Sequence, residues 1–147
     1  MKVKVKVDEK MSEPEISISG SSDDVERIQR IILSRINQKL EVLSDGQEYF
    51  VPTDNFIFFE AIDGKTWAHT VDRIYEIREK LYSLEEFLPV NFIRISKSVI
   101  VNTSEIVSIA KNLAGPSVVR FRETEKRTTC SRKYYKLLIK RLNENIF

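Results

Sequence analysis

The sequence predicts a mainly β protein with few helices, α+β overall. From Leu40 onward the apolar residues fall in short runs with the period of a half-buried strand. Two Asp-Gly pairs, Asp45-Gly46 and Asp63-Gly64, lie between such runs, and Asp-Gly tolerates the positive φ that a tight hairpin needs. Helical spacing is confined to three segments, so strands should dominate.

Taken in order, KVKVKV at residues 2–7 alternates strictly and reads as a strand with its valines inward and its lysines protecting an edge. Ile16 and Ile18 alternate again in a second short strand. Gly20 to Asp24 supplies turn and cap signals, and Val25, Ile28, Ile31, Ile32 and Ile36 then recur at roughly helical spacing, predicting a helix over 22–38. This β-β-α unit, residues 1–38, is an extension ahead of a main domain at 39–147. There, Leu40 to Leu43 and Glu48 to Val51 form a hairpin about Asp45-Gly46. Phe56 to Ile62 and Lys65 to Thr70 form another about Asp63-Gly64. Ile74, Ile77, Leu81 and Leu84 predict a helix through 72–88, ended by Pro89. Ile106 to Ala110, Ser117 to Phe121 and Lys126 to Cys130 make a meander. Ser131 caps a last helix whose Tyr135, Leu138, Ile139 and Leu142 share one face.

The segment Phe92 to Asn102, FIRISKSVIVN, carries more than fold. Ile93, Ile95, Val99 and Val101 belong to one apolar face, and Lys97 occupies the position between them. An ammonium is too costly to bury unpaired, so the strand must end, bulge or turn there and present Lys97 to solvent. Two readings fit: an exposed lysine between two serines that meets an anion, or two strands joined by a tight polar turn.

Bulk properties narrow the function. At 147 residues, 41% hydrophobic and 10% aromatic, the chain can build a core and is not wholly disordered. Its apolar runs are far shorter than a membrane span, and residues 1–10 lack the continuous apolar stretch of a secretory signal. A single cysteine, Cys130, excludes an internal disulfide and fits the reducing cytoplasm. The net charge of +2 hides an asymmetry. Residues 1–90 carry 12 Lys/Arg against 18 Asp/Glu, and residues 91–147 carry 12 against 4. A basic half of that kind suits a polyanion, nucleic acid first.

Enzymatic chemistry finds little support. His69 is the sole histidine, no metal-ligand spacing or glycine-rich phosphate loop occurs, and Cys130 reads as a buried strand-end thiol. Glu85-Glu86 reads as a solvated pair on a helix. No cofactor, metal or small-molecule substrate is therefore expected.

Four segments in fixed order resemble the LytTR family of bacterial DNA-binding domains: FIFFEA (56–61) with DGKTWAHT (63–70), KLYSLEEFLP (80–89), NFIRISKSVIVN (91–102) and SRKYYKLLIKRL (131–142). The resemblance spans about Leu40 to Phe147. It implies an elongated arrangement of short, mostly antiparallel strands whose loops enter successive major grooves while neighbouring residues hold phosphates. By position it implies DNA contact at Lys65 and Thr66 after the Asp63-Gly64 turn, at Lys97 with Ser98, and at Arg132 with Ser131, where the last helix begins. Lys133 and Lys136 would add sequence-independent attraction. His69 is expected to be structural.

The residues ahead of this part are too few for a receiver domain, so the sequence is similar to stand-alone regulators of the family. Residues 1–38 are expected to serve self-association, giving a homodimer on DNA over two half-sites. Such relatives often answer to a regulatory membrane protein. The rival expectation is a protein-interaction module whose basic half docks on an acidic partner.

Overall fold

The computed structural model describes residues 2–36 and 38–144. The chain divides after Ile36 into two compact units.

The first unit holds one regular element, helix α1 (Ser22–Ile36). Its start is fixed locally: Val25 N donates to Ser21 O at 2.9 Å, and the Ser21 hydroxyl donates to Asp24 at 2.8 Å. Asp23 and Asp24 in the first turn and Arg35 in the last suit the helix dipole. The two strands expected ahead of it do not form: residues 2–21 include no strand, and Val3, Val5 and Val7 are 79%, 84% and 82% exposed. Alternation specifies which face a strand would bury, but a lone strand has neither backbone partners nor a covering layer. The extension is therefore a helix with an irregular lead, not β-β-α.

The second unit is built of antiparallel strands. β1 (Lys39–Ser44) and β2 (Gln47–Pro52) form the first hairpin, turning at Asp45 (φ 49°) and Gly46 (φ 79°). β3 (Phe58–Ile62) and β4 (Lys65–His69) form the second, turning at Asp63 (φ 50°) and Gly64 (φ 77°). Positive φ at both central residues matches the twist of the flanking strands, which is why Asp-Gly recurs. β5 (Ile74–Ile77) precedes α2 (Leu81–Phe87), and β6 (Phe92–Ser96) pairs with β7 (Val99–Asn102). β8 (Ile106–Ala110), β9 (Ser117–Phe121) and β10 (Arg127–Cys130) make the meander, and α3 (Arg132–Glu144) ends the described chain. Strand order is β2-β1-β5-β4-β3-β7-β6 in a seven-stranded sheet and β10-β9-β8 in a three-stranded one.

The helix expected through 72–88 is half strand. Tyr75 and Ile77 are buried while Ile74 is 51% exposed, a period of two, and Tyr75 pairs with Ala68 of β4. Residues 74, 77, 81 and 84 match helical spacing only by counting across the β5–α2 boundary. Burial between β1 and β4 decides the conformation of the first half.

The seven-stranded sheet is buried on both faces at β3, β6 and β7. Phe59, Phe92 and Ile100 join a core with Leu40, Val42 and Tyr75 that α2 closes through Leu81 and Leu84. Phe58, Ile93, Ile95, Val99 and Val101 join a second core with Val119 and Phe121 of the smaller sheet and Leu138 of α3. Asn102, 1% exposed, ties the layers: its amide nitrogen donates to Phe56 O at 3.0 Å, and its oxygen accepts from Asn91 at 2.8 Å and Ser104 N at 3.0 Å. The β9–β10 turn is held to the β4–β5 connection by Thr124, which donates to Val71 O at 2.8 Å, and by Lys126, which donates to Thr70 O at 3.0 Å and Arg73 O at 2.7 Å.

Candidate nucleic-acid interface

Lys97 lies at the tip of the β6–β7 hairpin, where Ser96 pairs with Val99 and only Lys97 and Ser98 are left to turn. The four residues of the apolar face that flanks it all enter one core, so the hairpin is anchored from below. Both sequence readings meet here: a tight polar turn and an exposed lysine. A register shift between Arg94 and Ser96 puts a bulge beside the tip, the kind of irregularity that re-aims a side chain. The tip is pinned from three sides. Ser98 N donates to Ser96 Oγ at 3.2 Å, Ala61 N of the neighbouring hairpin donates to Ser98 O at 2.9 Å, and Arg94 donates to Lys97 O. Arg94 Nε also reaches Glu85 of α2 at 2.6 Å. Glu85 is thus an ion-pair partner, not merely a solvated carboxylate.

The β3–β4 tip stands next to this hairpin. Lys65, Thr66, Lys80, Arg94 and Lys97 line one open cleft of about 240 Å³. Lys80 donates to Gly64 O at 2.8 Å and holds the turn. Lys65 is exposed, with Glu76 at 3.9 Å. Thr66 departs from expectation: one residue further along the strand it points to the opposite face and is 3% exposed. Its side chain is a wall of the cleft, not a projecting contact.

The third position follows from a single backbone bond. Ser131 N donates to Ile95 O at 2.9 Å, which fixes the start of α3 beside the strand that carries Lys97. Arg132, Lys133 and Lys136 are exposed, and Ser131 is half-buried. Arg132 and Lys136 share a cleft of about 200 Å³ with Lys111, Asn112 and Tyr135. Lys111 lies over the Tyr135 ring at 5.1 Å, and Lys133 over Tyr134 at 5.8 Å. Lys111 and Asn112, on the β8–β9 loop, escaped sequence reasoning because only the folded meander brings that loop to the helix start. Arg94 and Lys80 escaped it as well, since both act by holding backbone.

Several cations are paired with carboxylates, Lys65 with Glu76 among them. Arg78 meets Glu41 and Glu48, Arg94 meets Glu85, Arg122 meets Glu105 and Arg141 meets Glu144. Lys97, Arg132 and Lys136 have no ion-pair partner among the described residues. Unneutralised cations on anchored tips are what an approaching polyanion would use.

His69 is built into the support. It is 7% exposed, stacks on Phe58 with ring centroids 4.1 Å apart, and meets Glu60 through Nε2 at 2.7 Å and Lys126 through Nδ1 at 3.4 Å. Burial lowers its pKa, and the Lys126 charge does so too, against the hydrogen bond and charge of Glu60. Burial likewise lowers Lys126. Cys130 is fully buried at the end of β10, and burial pushes its thiol up to about 11. A thiol held neutral in this way is a packing residue. No helix among the described residues is long and apolar enough to cross a membrane.

Comparison with known proteins identifies the family and the fold. The family profile described as LytTr DNA-binding domain matches residues 46–143. An uncharacterized HTH-type transcriptional regulator of Staphylococcus aureus (strain NCTC 8325 / PS 47) is 31% identical over 99 residues, 67% of each chain. Another, from the bovine strain RF122 / ET3-1, is 33% identical over 101 residues, again 67% of each. The solved structure of a LytTr DNA-binding domain from Bacillus cereus superposes with a TM-score of 0.66 at 23% identity, covering 72% of this chain and 97% of that one. At that identity the likeness speaks for the fold.

Proposed function

This chain belongs to the LytTr DNA-binding domain family, and on that premise we propose that it is a cytoplasmic transcriptional regulator that binds a specific double-stranded DNA sequence as a homodimer. Residues 39–147 carry the DNA contacts and residues 1–38 serve association. The β3–β4 tip, the β6–β7 tip and the start of α3 enter the DNA from one connected surface, with loops in successive major grooves.

One observation carries this reading: Lys97 is exposed and has no ion-pair partner among the described residues, on a hairpin whose apolar side chains are all anchored in a core. A cation carried on a rigidly held backbone starts from a defined position before base edges, whereas one on a mobile loop mainly adds charge. Arg132 has the planar fork that matches guanine O6 and N7 bidentately, and Lys97 can make the same contacts less rigidly. Lys65 is the third reader. Ser98, Ser131, Lys133 and Lys136 hold phosphates, and Lys111 joins them from the β8–β9 loop.

Selection of bound sequences from random duplexes at physiological salt should return a defined site. Against that site, Lys97→Ala and Arg132→Ala should each reduce the specific-to-non-specific preference by about 1–3 kcal/mol. Full preference in both variants refutes the residue assignment. The second reading, docking of the basic half on an acidic protein such as the cytoplasmic part of a membrane protein, requires that no preferred duplex emerges.

A further inference from the structure

We infer that Leu113, at the tip of the β8–β9 loop, reads a thymine by packing on its 5-methyl group, beside the base pair that Arg132 contacts. The inference rests on the DNA-binding reading above and adds a base reader to it.

The loop is held at its base. Ile109 of β8 pairs with Val119 of β9, Val119 lying within the second core and Ile109 packing against it. Ser117, 3% exposed, opens β9 opposite Cys130 of β10, the residue before Ser131 and Arg132. That register puts the β8–β9 loop at the end of the smaller sheet from which α3 starts. Further contacts close the loop onto itself and onto the helix. Asn112 N donates to Ser117 Oγ at 3.2 Å, and Ala114 N donates to Asn112 Oδ1 at 3.0 Å, so Leu113 is bracketed by bonds on both sides. The Lys111 ammonium over the Tyr135 ring ties the near arm of the loop to α3. Pro116 restricts the backbone ahead of β9.

Leu113 itself is left outside the core. It is 80% exposed, and it lines the cleft shared by Arg132 and Lys136. A single exposed leucine on a neutral surface needs no explanation. This one is flanked by Lys111, Arg132 and Lys136, none of which has a carboxylate partner among the described residues. A surface that fits such a ring is anionic around a small apolar spot. The major groove of DNA has that character: phosphates border the base edges, and the thymine methyl is the apolar group displayed among them. Leucine has no donor or acceptor, so it cannot read an edge by hydrogen bonding. Set against cytosine, it would strip water from the exocyclic amine and offer nothing in return. An arginine on guanine and a leucine on a methyl, presented from one cleft, therefore read neighbouring base pairs.

The test uses the full chain and the duplex it selects. Uracil in place of thymine removes the methyl alone and leaves the pairing edge unchanged. At one thymine beside the pair that Arg132→Ala relaxes, uracil should weaken binding by the unaltered chain about fourfold, the worth of one buried methyl. Leu113→Ala should bind the thymine duplex about fourfold or more weakly and be indifferent to uracil, the coupling expected of a direct contact. Leu113→Met keeps the apolar reach and should keep the response to the methyl. Both variants change an exposed side chain, so their thermal midpoints should match that of the unaltered chain. An equal response to uracil in the unaltered chain and in Leu113→Ala overturns the proposal. So does the lack of any selected thymine there that responds to uracil, which would leave Leu113 to a protein contact. The DNA-binding reading fails on a different result, the absence of any preferred duplex, and this inference would fall with it.

Discussion

His69 shows how a residue of suggestive chemistry can serve support alone. With Nε2–H donating to Glu60 and Nδ1 accepting from the Lys126 ammonium, the neutral imidazole satisfies both neighbours at 2.7 and 3.4 Å. Protonation would turn Nδ1 into a donor facing a cation. Burial, the largest cause, and Lys126 hold the folded pKa below the ordinary 6.5, outweighing Glu60. The unfolded chain therefore takes up this proton first as pH falls. Stability should be complete above 6.5 and decline as pH drops from there toward the lower folded value. Because the chain has one histidine, the effect can be isolated. Urea midpoints of the unaltered protein should fall between about pH 7.5 and about pH 5.5, and those of His69→Gln should be nearly flat over that range. A parallel decline in both proteins would assign the loss to other groups. His69 reads as structural from its place on a strand, but its two charged partners come from β3 and the β9–β10 turn, which no local pattern joins.

At the scale of elements, legibility follows how local the determining physics is. Both Asp-Gly hairpins were readable because the turn conformation is set by two residues. The FIRISKSVIVN hairpin was readable because misplacing Lys97 would bury a charge. Residues 72–88 mislead because i, i+3 spacing across a strand–helix junction imitates a single helix, and β1 and β4, which decide the matter, are distant in sequence. The alternation at 2–7 and 16–18 misleads for the complementary reason that it has no covering layer. Arg94 belongs among the unreadable: its value is to join α2 to the β6–β7 tip, bonding Glu85 with Nε and the Lys97 carbonyl with its terminal nitrogen. Arg94→Ala should cost about 1–2 kcal/mol of stability, since the pair is partly solvent-screened. It should cost more in function, with operator affinity falling about tenfold as the tip loosens. Hydrogen exchange separates the two effects. The amides of Lys97 and Ser98 should exchange faster while those of the β3–β4 ladder keep their protection, and uniform loss of protection would mean that Arg94 supports only the fold.

For the whole molecule, the division of charge between residues 1–90 and 91–147 becomes a division of labour among cations. Arg78, Arg122 and Arg141 are neutralised by carboxylates, whereas Lys97, Arg132 and Lys136 are not. In the proposed DNA-binding reading, position would separate base readers from phosphate holders among the latter. Lys97 is at a pinned tip, while Lys136 lies about one turn into α3 beside Lys111 and Tyr135, too far back to lead the helix start into a groove. The two should differ in kind when binding is measured across salt concentrations on both the selected site and an unrelated duplex. Lys136→Ala should weaken both by a similar factor and reduce the slope of log affinity against log salt by about 0.9, the signature of one lost phosphate contact. Lys97→Ala should instead weaken the selected site far more than the unrelated duplex, and change the slope less. If Lys136→Ala alters preference among sequences, the back of the helix also reads bases. If Lys97→Ala behaves as Lys136→Ala is expected to, the pinned hairpin is a phosphate clamp and specificity has to come from Arg132, Lys65 or the deformability of the DNA between them.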